Sequence, residues 1–169
     1  CYVKPADNSG SRGITRVTEP AELELAFEVA KNNNILETNI LIEEEIIGDE
    51  YSIDTIVLNN VLYNGGISDR IFNPKVKYAV QGGSLTPSML SEDKQKAMID
   101  LMTEISKKFE INNSALKGDL VIDNNGNIRV IEIAARTSGG FDSQVRKPTS
   151  FGIDLIAITI DMSLNKEPN

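Results

Sequence analysis

The chain has 169 residues, 40% of them hydrophobic, which suits one globular domain or two closely joined subdomains. Its net charge of −8, from 17 basic and 25 acidic residues, argues against sequence-independent nucleic-acid binding. The single cysteine, Cys1, and the absence of histidine exclude an intrachain disulfide, histidine acid–base catalysis and histidine-ligated zinc within this sequence. No apolar run reaches the roughly 20 residues of a membrane-spanning helix, so we expect no membrane partner.

The first part of the chain predicts two short strands and a helix. Strand patterns cover residues 2–4 and 14–17, and a polar, glycine-bearing run separates them. Thr18 is a candidate N-cap for a helix over residues 20–31. The apolar residues of that helix recur at helical spacing: Leu23, Ala26, Phe27 and Ala30.

The rest of the chain predicts two hairpins and two longer helices. Strands are expected over residues 40–42, 51–58 and 61–67, with the last two joined at Asn59-Asn60, and residues 71–86 are expected to be irregular. Ser91 caps an amphipathic helix with the buried stripe Met98, Leu101, Met102, Ile105 and Phe109. A second hairpin joins residues 116–122 to 128–134, and residues 153–164 form a final, mostly buried helix. Because the strands outnumber the helices and occur as hairpins, the predicted class is α+β with antiparallel sheet.

The second hairpin carries two carboxylates. Asn125-Gly126 is a strong signal for a two-residue turn, since both positions tolerate positive φ. That turn would pair Asn124 with Asn127 and Ile122 with Arg129, and would place Asp119 directly opposite Glu132. Two opposed carboxylates in an apolar sheet need a proton or a cation between them, and oxygen ligands suit Mg²⁺. The alternatives are an exposed face with solvated acids, or a turn one residue longer that breaks this register.

Three further segments carry candidate binding residues. Arg136, just beyond the second strand, is placed to reach phosphates, or is a surface residue. Lys4 precedes a small-residue turn, which could present backbone N–H groups to a phosphate or be an ordinary surface loop. The run Glu43-Glu44-Glu45 follows an apolar strand, and indicates either a cleft edge or a solvated face.

In this order and spacing, the segments resemble the ATP-grasp superfamily over nearly the whole chain. The matching residues are Val3-Lys4-Pro5 with Ser9-Gly10-Ser11-Arg12-Gly13, Leu41-Ile42-Glu43-Glu44 through Gly48 to Glu50, and Asp119 with Glu132-Ile133-Ala134-Ala135-Arg136. The sequence looks most similar to the large chain of carbamoyl-phosphate synthetase. Biotin carboxylase and the ATPase subunit of aminoimidazole ribonucleotide carboxylase are more distant relatives.

The resemblance implies an ATP-grasp fold of two subdomains, with antiparallel sheets and packed helices, that holds the nucleotide between them. Residues 1–38 would form part of the lid subdomain with the phosphate loop, and residues 39–169 the C-terminal subdomain with the adenine hinge and metal site. The implied nucleotide-binding residues are Lys4, Ser9, Gly10, Ser11, Arg12, Gly13, Glu44, Glu45, Ile46, Ile47 and Glu50. Asp119 and Glu132 would bind Mg²⁺, with Mn²⁺ as an alternative, and Arg136 would steady the transferred phosphate.

The implied activity is that of a cytoplasmic ligase that uses ATP to activate a small carboxylate as an acyl phosphate, which a nucleophile such as an amine then attacks. A preceding domain is expected to be missing, because the chain opens on Cys1-Tyr2-Val3-Lys4 without Met. This fragment alone would then be incomplete or inactive, and a homodimer is compatible with it. Many family members carry asparagine where Ala134 stands, which weakens a two-metal picture. The alternatives are a non-catalytic nucleotide-binding module of the same fold and a metal-free interaction domain.

Overall fold

The computed structural model describes residues 1–36, 39–72 and 81–167. The chain forms two compact units, Cys1–Ile46 with Ile71–Gly83 and Ile47–Arg70 with Ser84–Asn169. Each contains antiparallel strands and at least one packed helix, which confirms the predicted α+β class. The division of function between residues 1–38 and 39–169 stays a prediction.

The first unit has a three-stranded antiparallel sheet. Strand β1 (Tyr2–Pro5) lies between β2 (Thr15–Arg16) and β3 (Ile40–Glu43). A 3₁₀ turn, Pro20–Glu22, leads into helix α1 (Leu23–Asn32).

Helix α1 packs on this sheet through its two alanines. Ala26 and Ala30 form a small core with Val3 and Val17, whereas Leu23 and Phe27 of the predicted stripe are exposed. The predicted N-cap residue, Thr18, lies one residue before the observed N-cap of the helical segment. Glu19 takes that position and forms a capping box with Glu22.

The second sheet has five strands, and most of their residues belong to the second unit. Its strands, in spatial order, are β6 (Gln81–Leu85), β5 (Val61–Phe72), β4 (Gly48–Leu58), β7 (Ser114–Asp123) and β8 (Ile128–Ala134). Asn59 and Asn60 have φ of 52° and 63° and join β4 to β5, as a type I′ turn requires. The predicted hairpin at this position is therefore confirmed.

Helix α2 (Glu92–Lys108) covers one face of this sheet. Met98, Met102 and Ile105 pack there with apolar side chains of four strands, among them Ile53 and Leu120. Phe109, which was predicted to extend the buried stripe, is 72% exposed because the helix ends at Lys108.

The opposite face changes character along the strands. Helix α4 (Leu155–Ser163) covers its apolar part, where Leu155 and Met162 pack against Ile56 and Ala115. Farther along the same face, strands β4 and β7 present the polar residues Glu50, Ser52, Asp54, Lys117 and Asp119. This face of the sheet therefore has an apolar part, which α4 covers, next to a polar and charged part.

Three secondary-structure predictions were wrong in detail. Gln81–Leu85 is a strand, not an irregular segment, and residues 73–80 of that predicted segment lie outside the described residues. A π-helical turn, Asp142–Arg146, and helix α3 (Lys147–Phe151) were not predicted. The last helix starts at Leu155, where Asp154 caps it with hydrogen bonds from the N–H groups of residues 156 and 157. No helix in the described part of the chain is long and apolar enough to span a membrane.

Candidate functional site

The hairpin of β7 and β8 places Asp119 directly opposite Glu132, as predicted, but by a different route. The turn is one residue longer than a two-residue turn: Gly126, with φ of +81°, donates its N–H to the Asp123 carbonyl. Ile122 therefore pairs with Ile128, and the predicted pairs Ile122–Arg129 and Asn124–Asn127 are wrong. An irregularity in the pairing leaves Ile131 unpaired and shifts the register back by one residue.

Asp119 lies in a positively charged setting. Its Oδ2 is 2.5 Å from Lys117 Nζ and 3.2 Å from Arg70 Nη1, and the Asp119 side chain is only 10% exposed. The other oxygen, Oδ1, is buried and has no hydrogen-bond partner among the described residues. A buried carboxylate oxygen without a donor is costly. One side of Asp119 is thus held by cations while the other side is left to accept a ligand.

Glu132 is more accessible than its partner. Its side chain is 54% exposed, and Oε1 lies 3.8 Å from Nη2 of Arg136, four residues along the chain. The Arg136 guanidinium is half exposed and also donates from Nη1 to the Thr137 carbonyl. The predicted phosphate-binding arginine therefore lies beside one of the two predicted metal ligands.

Glu50, one of the residues that the resemblance implies for nucleotide binding, shares a cation with Asp119. Its Oε2 accepts a hydrogen bond of 3.1 Å from Nη1 of Arg70, the atom that also contacts Asp119. Burial raises the pKa of Glu50 above its ordinary value, the charge of Arg70 opposes that rise, and Asp119 adds to it. Arg70 thus joins two predicted ligand-binding carboxylates on different strands.

The residues predicted to contact phosphates in the first unit lie on β1 and the following loop. Lys4 Nζ is 2.7 Å from Glu43 Oε2, so the lysine is held at the strand by an ion pair. Gly10, Ser11 and Gly13 all adopt positive φ, and Ser9 donates its N–H to the side chain of Asn8. This tightly turned backbone is the kind that can direct consecutive N–H groups toward an anion.

The residues of the segment from Glu44 to Ile47 differ in their surroundings. Glu45 forms an ion pair of 2.7 Å with Arg16, which raises the arginine's pKa through a hydrogen bond and charge attraction. Glu44 and Ile47 are exposed, and Ile46 is half-buried. Glu45 therefore contributes to the structure of the first unit, while the role of the segment in reading adenine stays a prediction.

The Asp119–Glu132 pair fits a Mg²⁺ ion that is shared with phosphate groups. Mg²⁺ commonly takes one or two protein carboxylates together with substrate phosphates and water. Asp119 Oδ1, which accepts no hydrogen bond from the described residues, can serve as such a ligand. Ala134, opposite Lys117, adds no ligand. Within residues 1–36, 39–72 and 81–167 no group of three or more acidic, histidine or cysteine side chains could hold a metal ion.

Two basic side chains of this site, those of Lys117 and Arg70, were not predicted from the sequence. Lys117 lies two residues before Asp119, so the period of a strand puts both on one face, and that signal was available. Arg70 was not predicted as a site residue, and the strand that carries it was predicted to end at residue 67. Strand β5 in fact extends to Phe72 and carries Arg70 to the carboxylates.

A family model described as an ATP-grasp domain matches residues 1–145. The chain belongs to the ATP-grasp family. Because the match covers most of the chain, it confirms the family that the sequence resemblance indicated. The particular likeness to carbamoyl-phosphate synthetase stays an interpretation of the sequence.

The curated relatives of this ATP-grasp domain are ligases. D-alanine–D-alanine ligase of Bacillus pumilus is 26% identical over 148 residues, which are 83% of this chain and 39% of the relative. The enzyme of the same name from Flavobacterium johnsoniae is 24% identical over 172 residues, or 97% of this chain and 52% of the relative. The chain thus spans between two fifths and about half of the length of these relatives.

Solved structures support the same fold. The biotin carboxylase domain of Hydrogenobacter thermophilus 2-oxoglutarate carboxylase, in complex with MgADP, ADP and bicarbonate, matches with a TM-score of 0.80 and 18% identity. That match covers 98% of this chain and 36% of the other. L-amino acid ligase from Bacillus licheniformis matches with a TM-score of 0.78 and 24% identity, over 95% of this chain and 38% of the other. At these identities the comparisons establish the ATP-grasp fold.

Proposed function

We propose that this ATP-grasp domain is the ATP- and Mg²⁺-binding part of a ligase that activates a carboxylate as an acyl phosphate. The observation that carries the proposal is the Asp119–Glu132 pair, in a chain that matches the ATP-grasp family over residues 1–145. One buried oxygen of that pair has no hydrogen-bond partner within residues 1–36, 39–72 and 81–167. The names of the relatives support the substrate class, since a D-alanine–D-alanine ligase joins an amino acid to an amino acid. A cytoplasmic location and a homodimer belong to the same proposal.

The proposed reaction has two steps. A carboxylate oxygen of the acid attacks the terminal phosphorus of ATP, and the bond between that phosphorus and the bridging oxygen breaks, so that ADP leaves. The nucleophile, such as an amine nitrogen, then attacks the acyl carbon. The carbon–oxygen bond to the phosphate breaks, inorganic phosphate leaves, and the amine loses a proton.

The residues of the second unit would divide this work. Asp119 Oδ1 and Glu132 would hold Mg²⁺, which supplies neutralisation of the phosphate charge when it is bound. Lys117 and Arg70 fix the opposite oxygen of Asp119 and so orient its free oxygen. Arg136 would stabilise the charge of the phosphoryl group in transfer.

The nucleotide contacts proposed for the other residues follow the family resemblance. Lys4 and the loop of residues 9–13 would contact phosphates, and the ion pair of Lys4 with Glu43 and the positive φ angles of the loop support this. Residues 44–47 would read the adenine edge, and Glu50 would bind the ribose. Arg70 supports the last role because it holds Glu50 in place through the 3.1 Å contact.

A nucleotide-binding module without turnover is the second candidate. One observation favours it: Ala134, at a position where many family members carry asparagine, provides no metal ligand opposite Lys117. Such a module would keep nucleotide binding and lack phosphoryl transfer to an acid.

Trapping with hydroxylamine tests the choice between the two candidates. The protein in its natural length is incubated with Mg·ATP, hydroxylamine and single amino acids, beginning with D-alanine, and hydroxamate is measured. We expect hydroxamate with at least one acid, and its loss in Glu132→Gln. Glu104→Gln is the matched control, because Glu104 is an exposed carboxylate on α2, which covers the other face of the sheet. Mg-dependent nucleotide binding without hydroxamate for any amino acid or other small carboxylate would favour the module.

A further inference from the structure

A second charged cluster is buried in the second unit, apart from the Asp119–Glu132 pair. Lys147, the first residue of α3, has no exposed surface at all. Its Nζ donates to the Gly66 carbonyl at 2.8 Å and to Ser68 Oγ at 2.9 Å, and lies 3.6 Å from Asp54 Oδ2. The aromatic ring of Phe151 lies 5.5 Å from the same nitrogen. A fully buried lysine is rare unless it is paired in this way.

Asp54 connects this lysine to the loop that follows β8. The carboxylate is 1% exposed, and both of its oxygens accept hydrogen bonds from Ser138. The Ser138 N–H donates to Oδ1 at 3.0 Å, and the Ser138 hydroxyl donates to Oδ2 at 2.9 Å. Ser138 is itself buried. The loop is therefore fastened to the central strand β4 at this residue.

Ser138 lies two residues after Arg136, on a loop that is otherwise accessible. The Arg136 side chain is half exposed and contacts the exposed Glu132 and the neighbouring Thr137 carbonyl. Apart from its two neighbours, no residue in the described part of the chain has an atom within 4 Å of the place where a Cβ of Gly139 would stand, so these residues do not pack against the loop on that side. Arg136 therefore lies between two fixed points, the end of β8 at Ala134 before it and the buried contact at Ser138 after it.

A buried ion pair is an expensive way to stabilise a fold. Apolar side chains of similar volume often stabilise a protein as well or better, whereas ionic groups in a core can select one conformation. A buried ion pair whose carboxylate accepts hydrogen bonds from a loop is therefore better explained by control of the loop's position than by a gain in stability.

We propose that Asp54 and Lys147 are positioning residues that, through Ser138, aim Arg136 at the terminal phosphate of ATP. The inference rests on the proposed function, in which Arg136 contacts this phosphate. It adds a buried relay that runs from Lys147 on α3 through Asp54 on β4 to Ser138 on the loop that carries Arg136.

Two buried serine hydroxyls that bond to the Asp54–Lys147 pair allow a matched test, because only that of Ser138 belongs to the loop. Ser138→Ala removes the hydroxyl bond to Asp54 Oδ2 and keeps the backbone bond to Oδ1, whereas Ser68→Ala removes a bond that Lys147 Nζ makes to strand β5. Both variants keep the Asp54–Lys147 pair. Lys147→Met is the direct variant, but it leaves the Asp54 charge buried and can prevent folding, so the serine variants carry the test.

The measurement is the ratio of two affinities, obtained by calorimetry in the presence of Mg²⁺. One ligand is ADP, and the other is a non-hydrolysable ATP analogue that has a terminal phosphate. Arg136→Met defines the contribution of the arginine to that ratio. We expect Ser138→Ala to reduce the preference for the ATP analogue by about fivefold to tenfold, the range of a misplaced charge-assisted hydrogen bond. Ser68→Ala should lower the melting temperature and leave the ratio unchanged.

Three results would overturn the inference. An unchanged ratio in Ser138→Ala would show that the relay supports only stability. An equal fall in both serine variants would show that the ratio follows stability and not the position of the loop. An unchanged ratio in Arg136→Met would contradict the arginine's proposed role and the inference together. Either of the two results from the serine variants would contradict the inference alone and leave the proposed role of Arg136 intact.

Discussion

Lys117 should keep divalent cations out of the site until a nucleotide arrives. Its Nζ lies 2.5 Å from Asp119 Oδ2, and both side chains are nearly buried, at 12% and 10% exposure. Together with Arg70, it places two positive charges beside the carboxylate that we propose as a Mg²⁺ ligand. The phosphates of ATP would offset these charges, so the metal and the nucleotide should bind together.

Lys117→Met should therefore allow a metal ion to bind without nucleotide. Two unit charges about 4 Å apart interact by about 1 kcal/mol in water and about 4 kcal/mol at the effective dielectric of a protein surface. The small exposure of both side chains favours the upper part of this range. Removal of the competing charge should then strengthen metal binding by about fivefold to several hundredfold.

Binding of Mn²⁺ alone, followed by the electron paramagnetic resonance signal of the free ion, measures this effect. Lys117→Arg keeps the positive charge and should behave like the original protein. Lys96→Met is the matched control, because Lys96 pairs with Asp100 on the exposed surface of α2. If Lys117→Met bound Mn²⁺ no better than the original protein, or if the original already bound it tightly without nucleotide, the reasoning would be refuted.

Three further predictions concern stability and are checked by denaturant or thermal unfolding. Met102→Ala should cost about 2–5 kcal/mol because it empties a fully buried site, whereas Met89→Ala, at an exposed position, should cost little. Gly66→Ala should cost about 2–5 kcal/mol, since φ is +116° and the new methyl group would lie 2.3 Å from an aromatic ring carbon. The Asn127 backbone N–H, with help from other amide donors, lowers the pKa of Asp123 below 3.8. That carboxylate stabilises the turn above pH 3.8 and stops doing so as the pH falls through the lowered pKa. Asp123→Ala should thus be less stable than the original near neutral pH and equal to it in strong acid.

The hairpin shows how much local sequence can predict. The pattern of Asn125-Gly126 between two apolar runs correctly predicted a turn and the pairing of Asp119 with Glu132. A turn one residue longer was an alternative left open, but the pattern could not predict that an unpaired Ile131 restores the pairing of Asp119 with Glu132. Turn length and bulges depend on how a strand fits its other neighbour, here β4, and no window of sequence around the turn contains that information.

The charged groups were predictable where one strand or one turn determines them. Asp119, Glu132 and Arg136 lie within one hairpin and the residues that follow it, so spacing alone related them. The buried pair of Asp54 and Lys147 joins positions far apart in sequence, on β4 and at the start of α3. A lysine is expected at the surface, and only the packing of α3 on the sheet reveals that this one is buried.

Two other errors, at the end of α2 and at strand β6, have local causes. Phe109 continues the apolar spacing of α2, but the helix has ended by this residue, so the periodicity no longer applies. The strand at Gln81–Leu85 was missed because two of its residues are glycine, which is unfavourable in strands by local preference. Pairing with β5 outweighs that preference.

The central claim is that Asp119 and Glu132 bind Mg²⁺ together with ATP. Its most direct test is calorimetric titration of ATP with and without Mg²⁺ into the protein in its natural length and into Asp119→Asn, Glu132→Gln and Glu104→Gln. We predict Mg²⁺-dependent binding that both site variants lose by at least about tenfold, or 1.4 kcal/mol, and that Glu104→Gln retains. ATP binding that is equally strong without Mg²⁺, or unchanged in both site variants, would contradict the account.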